Sequence, residues 1–193
     1  MVIVAEQLNV LALADFIRLY DEEGAFEFID GERAAVSPTV IGHVVITKIL
    51  FLALHASVST NNLGEVFTEA PFVLSDVAGW VKGSRVPDVM FFSAAKLDAY
   101  KAANPDWREK PAVLLPDLVV EIISANDRYS EVLKKVLRYL DDGITLVWII
   151  DPGLRTVTFY QQNQRSLLRT ADDTLDGGTV IPGFTLKVSA LFV

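Results

Sequence analysis

Apolar side chains recur at helical spacing through residues 11–20, and Asp21-Glu22-Glu23 followed by Gly24 closes the segment. That pattern predicts a short N-terminal helix ended by acidic residues and a glycine breaker. Residues 26–30 and 34–36 form two short apolar stretches around Asp30-Gly31, a strong local signal for a β-hairpin. Ser37-Pro38-Thr39 reads as a helix start, and residues 40–58 continue as a long, mostly apolar helix with few charges. A helix apolar on most sides is expected in the core.

Beyond the loop 59–64, four runs rich in β-branched and aromatic residues follow: 66–74, 86–92, 117–124 and 145–150. These are the predicted sheet. A helix over about residues 130–141 lies between the third and fourth, with Gly143 as its stop. The continuous apolar runs Leu118-Val119-Val120 and Leu146-Val147-Trp148-Ile149-Ile150 suggest parallel strands covered on both faces and joined by a crossover helix. Residues 156–162 and 165–170 add antiparallel edge strands after the Asp151-Pro152-Gly153 turn. Residues 94–111 carry no predicted element and form the longest irregular insertion; its charges nearly balance. The expected fold class is α/β, with a mixed central sheet flanked by helices and preceded by a helix and hairpin.

Composition narrows the picture. With 193 residues and 51% hydrophobic content, the chain can build one substantial core, so a single domain is expected. Residues 1–10 lack the basic start and sustained apolar run of a signal peptide, and no segment offers about 18 uninterrupted apolar residues. A soluble, cytoplasmic protein is the expectation. The chain has no cysteine, which excludes disulfide frameworks, thiolate nucleophiles and zinc–thiolate sites. A metal would have to rest on oxygen ligands or on one of the two histidines. The formal net charge of −8 argues against a broadly basic nucleic-acid-binding face, although phosphate affinity depends on local charge and bound metal.

Two acids stand out within that frame. Asp88 falls inside Val86-Pro87-Asp88-Val89-Met90-Phe91-Phe92, and Glu121 inside Asp117-Leu118-Val119-Val120-Glu121-Ile122-Ile123. A carboxylate in a buried strand is costly unless it is paired or bound to metal. Two such placements suggest a shared site, because two carboxylates with a backbone carbonyl and waters make the incompletely filled oxygen shell that magnesium prefers. Its chemistry would be phosphodiester hydrolysis. The alternative reading has Asp88 capping a turn after Pro87 and Glu121 pairing with a core cation.

A series of motifs carries a family resemblance: Glu27-Phe28-Ile29-Asp30-Gly31-Glu32, Ser37-Pro38, His43, Arg85-Val86-Pro87-Asp88-Val89, Pro116-Asp117-Leu118-Val119-Val120-Glu121-Ile122-Ile123-Ser124, Lys135 with Tyr139, Gly143, and Val147-Trp148-Ile149-Ile150-Asp151-Pro152. In this order, over roughly residues 20–190, the chain resembles the Uma family of bacterial restriction-endonuclease-like proteins in the PD-(D/E)XK nuclease superfamily. The resemblance implies a restriction-endonuclease-like fold, a Mg²⁺- or Mn²⁺-dependent endonuclease acting on DNA, and a homodimer. It matches Asp88 and Glu121 to the metal-binding acids, with the backbone carbonyl near Ile122 completing the ligand set. The superfamily lysine normally stands two residues after the second acid, where this chain has Ile123; the resemblance moves that function to Lys135 on the following helix.

Helical geometry allows the move. At about 100° per residue, Val132, Leu133, Val136, Leu137 and Leu140 form an apolar arc, with Lys135 and Tyr139 on one edge and Lys134 past the other. A solvated helix face is the competing reading for the lysine pair. Glu27 is a further candidate, as a third ligand or an orienter of water. His43 is a base or supporting donor, or simply a satisfied core histidine. Ser124 either bonds a phosphate or caps the turn toward the next helix with Asn126 and Asp127. Arg85 and Arg128 are candidate phosphate contacts, against ordinary surface charge. The rival function is a catalytically idle binding or assembly module on the same fold, motivated by the −8 charge and by Ile123 at the lysine position.

Overall fold

Local chemistry sets the N-terminal region of the computed structural model, which describes residues 10–36, 38–75, 77–124 and 127–192. Strand β1 (Leu11–Ala12) leads into helix α1 (Leu13–Glu23), which ends at Gly24. The hairpin β2 (Phe26–Ile29) and β3 (Glu32–Ala35) turns through Asp30 and Gly31, whose φ values of 51° and 86° are the left-handed pair that Asp-Gly supplies readily. Helix α2 (Ile41–Thr60) follows. Of the predicted Ser-Pro-Thr start, Ser37 lies outside the described residues; Pro38 and Thr39 precede the helix without capping it.

The run 66–74, expected as one strand, is two. Strand β4 (Gly64–Thr68) and β5 (Phe72–Leu74) belong to different sheets, separated at Glu69, which has a φ of 52°, and by Pro71. A left-handed residue and a proline both interrupt a strand ladder. Short strands β6 (Trp80–Val81) and β7 (Gly83–Arg85) precede β8 (Val89–Ser93). Residues 94–111 are not irregular throughout: helix α3 (Ala94–Ala103) buries Leu97 and Tyr100, one turn apart, and a 3₁₀ turn spans Trp107–Glu109. Two buried positions were too weak a pattern to announce α3.

Strand β9 (Leu118–Ile122), helix α4 (Tyr129–Asp141) and β10 (Leu146–Asp151) form the expected parallel crossover, with Leu118 beside Leu146 and Ile122 beside Ile150. Strands β11 (Thr156–Tyr160) and β12 (Leu167–Arg169) continue antiparallel, giving the central order β12-β11-β10-β9-β8-β4. A terminal hairpin, β13 (Thr174–Asp176) and β14 (Thr185–Lys187), and a 3₁₀ turn at Val188–Leu191 complete the chain. Strands β3, β2, β7 and β5 form a second, four-stranded sheet.

Period-two alternation divides the central sheet between two cores. Leu118, Val120 and Ile122 of β9 pack with Leu146, Trp148 and Ile150 of β10 and with Ile46, Leu50, Leu54 and Val58 of α2. Val119, Val147 and Ile149 face Val136 and Tyr139 of α4. Glu121, two residues after Val119, is therefore aimed at α4. In β2 the same alternation buries Phe26 and Phe28 and turns Glu27 to the opposite face.

Two helices differ from expectation. Helix α2 is not enclosed: it contacts the sheet along one edge, while Ile41, Val44 and Leu52 are exposed. Its length and composition alone would also allow a membrane crossing. In α4, the buried arc centres on Val136 and Tyr139, and Leu137 is exposed. The helix is rotated toward the Lys135–Tyr139 edge because Tyr139 enters the core to reach Glu121.

Candidate active site

The register Val89–Val120 between β8 and β9, extended by one step, sets Asp88 opposite Glu121 at the ends of their strands. Pro87 cannot donate a ladder hydrogen bond, so the pairing ends there and the Asp88 side chain takes over. Its Oδ2 accepts the Ile122 amide at 2.6 Å. Its Oδ1 lies 2.9 Å from His43 Nε2 on α2, at ion-pair distance but without the alignment of a hydrogen bond. The cap proposed for Asp88 is thus real in a different form: it caps the edge of β9, not a turn after Pro87.

Glu121 is buried and engaged on both oxygens. Tyr139 donates its hydroxyl to Oε1 at 2.5 Å, and Lys135 donates to Oε2 at 2.8 Å. Lys135 Nζ also lies 3.9 Å from Glu27 Oε1, which accepts the Val86 amide at 3.2 Å. Lys134 pairs with Glu131 on the solvent side, as the helix geometry predicts. Lys135 therefore does not stand on a merely solvated helix face.

The electrostatics follow from burial and crowding. Burial pushes the Glu121 carboxyl up to about 7, and the nearby Asp88 charge adds to this, while Lys135 and Tyr139 pull in the opposite direction. Burial by itself would lower the Lys135 ammonium, but the Glu121 and Glu27 carboxylates outweigh it and hold the group well above the ordinary lysine range. The Tyr139 phenol is raised by burial first and then by the same acids. His43 is raised chiefly by its contact with Asp88, against the opposing effect of burial.

The donor chemistry fits a hard divalent cation. Asp88 and Glu121 offer carboxylate oxygens, and each carboxylate has more lone pairs than its present partners use. Ile123 donates to Ile150 O at 2.9 Å, so this peptide faces β10. The Ile122 amide faces Asp88 instead, and the carbonyl of the same residue lies on that same side of the strand. This supports the Ile122 carbonyl as the third oxygen. Among the described residues, no group of three or more histidine and acidic side chains is gathered as a metal-binding cluster, so a ligand set here would need that backbone oxygen.

A cleft of about 1040 Å³ contains Glu27, His43, Asp88, Glu121, Ile122, Ser124 and Lys135. Ser124 lines it, but the turn toward α4 is built by Asp127, whose Oδ2 accepts the Ser124 amide at 2.7 Å; Asn126 lies outside the described residues. Two expected phosphate contacts are not in the cleft. Arg85 is buried, bonding Phe28 O and Ser84 O, and forms an ion pair with Asp142 at 2.9 Å. Arg128 is the residue preceding α4 and does not line the cleft. Sequence reasoning noted Tyr139 only beside Lys135; a tyrosine one turn after a lysine on the same helix edge was the available signal for its contact with Glu121. It gave no reading of Arg155, which also lines the cleft.

A search of curated proteins finds no match. A crystal structure described as "a putative nuclease belonging to DUF820 from Anabaena variabilis ATCC 29413" has the same fold, with a TM-score of 0.75 and 22% sequence identity over 94% of this chain and 97% of that one. The family model Uma2, described as "Putative restriction endonuclease", matches residues 13–189. The ordered motifs, the central sheet and the match across nearly the whole chain agree: this protein belongs to the Uma2 family.

Proposed function

We propose that this protein is a Mg²⁺- or Mn²⁺-dependent endonuclease that hydrolyses phosphodiester bonds in DNA. The observation that carries the reading is the convergence of Asp88, Glu121 and Lys135 from β8, β9 and α4 in one cleft. Family membership and the nuclease description of the structural relative support it.

Asp88, Glu121 and the Ile122 carbonyl would hold the ion. Its Lewis acidity supplies an acidified water and charge neutralisation on the phosphate. The Ile122 amide and His43 fix the orientation of Asp88; Tyr139 and Lys135 fix that of Glu121. Lys135 remains cationic and supplies the ammonium that steers the attacking water or stabilises charge on the phosphate. Glu27 holds Lys135 from the other side and is within reach to orient water. Ser124 is the hydroxyl at hand for a phosphate oxygen.

Homodimerisation belongs to the same proposal, since cutting two strands calls for two sites. The exposed Val40, Ile41, Val44 and Leu52 on and beside α2 supply an apolar surface for it, and sedimentation of wild type against Ile41→Glu tests it. A second reading, a binding module without catalysis, draws support from Ile123 at the usual lysine position and from Lys135 being tied to Glu121.

Thermal titration with Mg²⁺ or Mn²⁺ tests the site: the melting temperature rises in wild type and stays flat in Asp88→Ala. No rise in wild type defeats the metal-dependent reading. Incubation with linear, supercoiled and single-stranded DNA in Mn²⁺ then separates nuclease from binding module. Cleavage by wild type, lost in Lys135→Ala and kept in Lys134→Ala, is the expected pattern.

A further inference from the structure

Part of the cleft lining lies outside the proposed catalytic groups: Asp151, Pro152, Gly153 and Arg155 at the β10–β11 turn, together with Leu191 and Phe192. Among the described residues lining the cleft, the basic side chains are His43, Lys135 and Arg155. His43 is held by Asp88, and Lys135 by Glu121 and Glu27. Arg155 has no carboxylate partner among the described residues. Its Nη2 donates to the Phe192 carbonyl at 3.0 Å, and its guanidinium carbon lies 5.6 Å from the centre of the Phe192 ring.

The turn fixes this placement. Asp151 Oδ1 accepts the Leu154 amide at 2.9 Å, and Arg155 occupies the left-handed region with a φ of 54°, a conformation that favours glycine or asparagine over arginine. The side chain is exposed on the cleft side, leaving the remaining guanidinium donors for a ligand. An anionic polymer entering a cleft that also presents Glu27, Asp88, Glu121, Asp127 and Asp151 needs a cation outside the catalytic group. Taken as a sphere, a 1040 Å³ cleft is about 13 Å wide, or about four nucleotides at the rise of one DNA strand.

We propose that Arg155 is a substrate-binding residue: its guanidinium takes a backbone phosphate of DNA beyond the scissile bond, in the same cleft as the Asp88–Glu121 pair. This subsite rests on the nuclease reading above. The planar fork of arginine suits a phosphate, and Phe192 holds it against one wall before substrate arrives.

The full-length protein and a fluorescently labelled DNA oligonucleotide test the proposal through cleavage kinetics in Mn²⁺ and through anisotropy over a salt series with the Asp88→Asn background. Arg155→Ala should raise KM about ten-fold, leave kcat within about two-fold, and lower the slope of log affinity against log salt by about 1. Arg155→Lys should fall between the two. The melting temperature and its rise with Mn²⁺ should stay unchanged. A wild type that cleaves DNA, beside an Arg155→Ala variant equal to it in KM and salt slope, overturns the subsite and leaves the nuclease reading standing. A variant that loses stability or the Mn²⁺ response in step with binding makes Arg155 structural and overturns the subsite too. A wild type that neither binds nor cuts DNA overturns both.

Discussion

The buried carboxyl of Glu121 makes stability depend on pH in a way that can be worked out in sign and size. In the folded protein it holds its proton up to about 7, compared with 4.5 for an ordinary glutamate, because burial and Asp88 disfavour the charge more than Lys135 and Tyr139 favour it. A raised carboxyl binds protons more tightly in the folded state than in the unfolded one. Its stabilising contribution is full below about 4.5 and is lost as pH rises through about 7. The corresponding free energy is about 3 kcal/mol, most of it lost between about pH 5 and 8. His43, raised by Asp88, acts with the same sign: its contribution is full below the ordinary histidine value and is lost as pH rises through the folded one. Urea unfolding of metal-free protein in EDTA, followed by tryptophan fluorescence at intervals from pH 5 to 8, measures the total slope. Glu121→Gln should remove most of it, leaving that variant at least as stable as wild type at pH 8, and His43→Gln should remove a smaller share. The difference between wild type and Glu121→Gln cancels the general repulsion of a −8 chain. If that difference is the same at pH 5 and pH 8, or runs the other way, the account of Glu121 is wrong.

Three further outcomes follow from the same contacts. Tyr139→Phe leaves Glu121 Oε1 without its buried donor, so unfolding free energy should fall by about 1.5–3 kcal/mol at pH 8, where the carboxylate is charged, and by less at pH 5, both read by urea titration. Arg85→Ala strands Asp142 without its cation in a buried ion pair and should cost about 3–5 kcal/mol, whereas Arg85→Met with Asp142→Leu should recover much of that loss in thermal unfolding. Gly64→Ala places a methyl carbon 2.0 Å from the Phe92 carbonyl oxygen, at a φ of 149°; thermal melting should show severe destabilisation, and a fully stable variant would mean that β4 can shift away from β8.

Much of this fold was legible because its signals were local. Asp30-Gly31 fixed a hairpin, continuous apolar runs marked β9 and β10, and Gly143 stopped α4. The second sheet was legible only in its β2–β3 hairpin, since β5 and β7 are three residues long and their pairings join distant parts of the chain. No periodicity survives in so short a strand. The same distinction separates the site residues. Asp88 and Glu121 could be singled out because an acid in an apolar strand is anomalous within its own segment; Lys135 came with the family resemblance, and helix geometry separated it from Lys134. Arg85 reads from the sequence as a candidate phosphate contact or an ordinary surface charge, and only β7 turning it toward Asp142 gives it a buried role. Arg155 had no local anomaly at all; what distinguishes it is that the turn after β10 and Phe192 meet at the cleft that also holds Asp88. The overall charge of −8 says little about the site for a related reason. Summed over the chain it counts Glu27, Asp88 and Glu121 as surface acidity, whereas the fold turns all three inward on Lys135, His43 and the Ile122 amide. On the proposed reading those acids would hold a cation, and the charge a DNA strand would meet would be set by what that cation and Arg155 leave uncompensated.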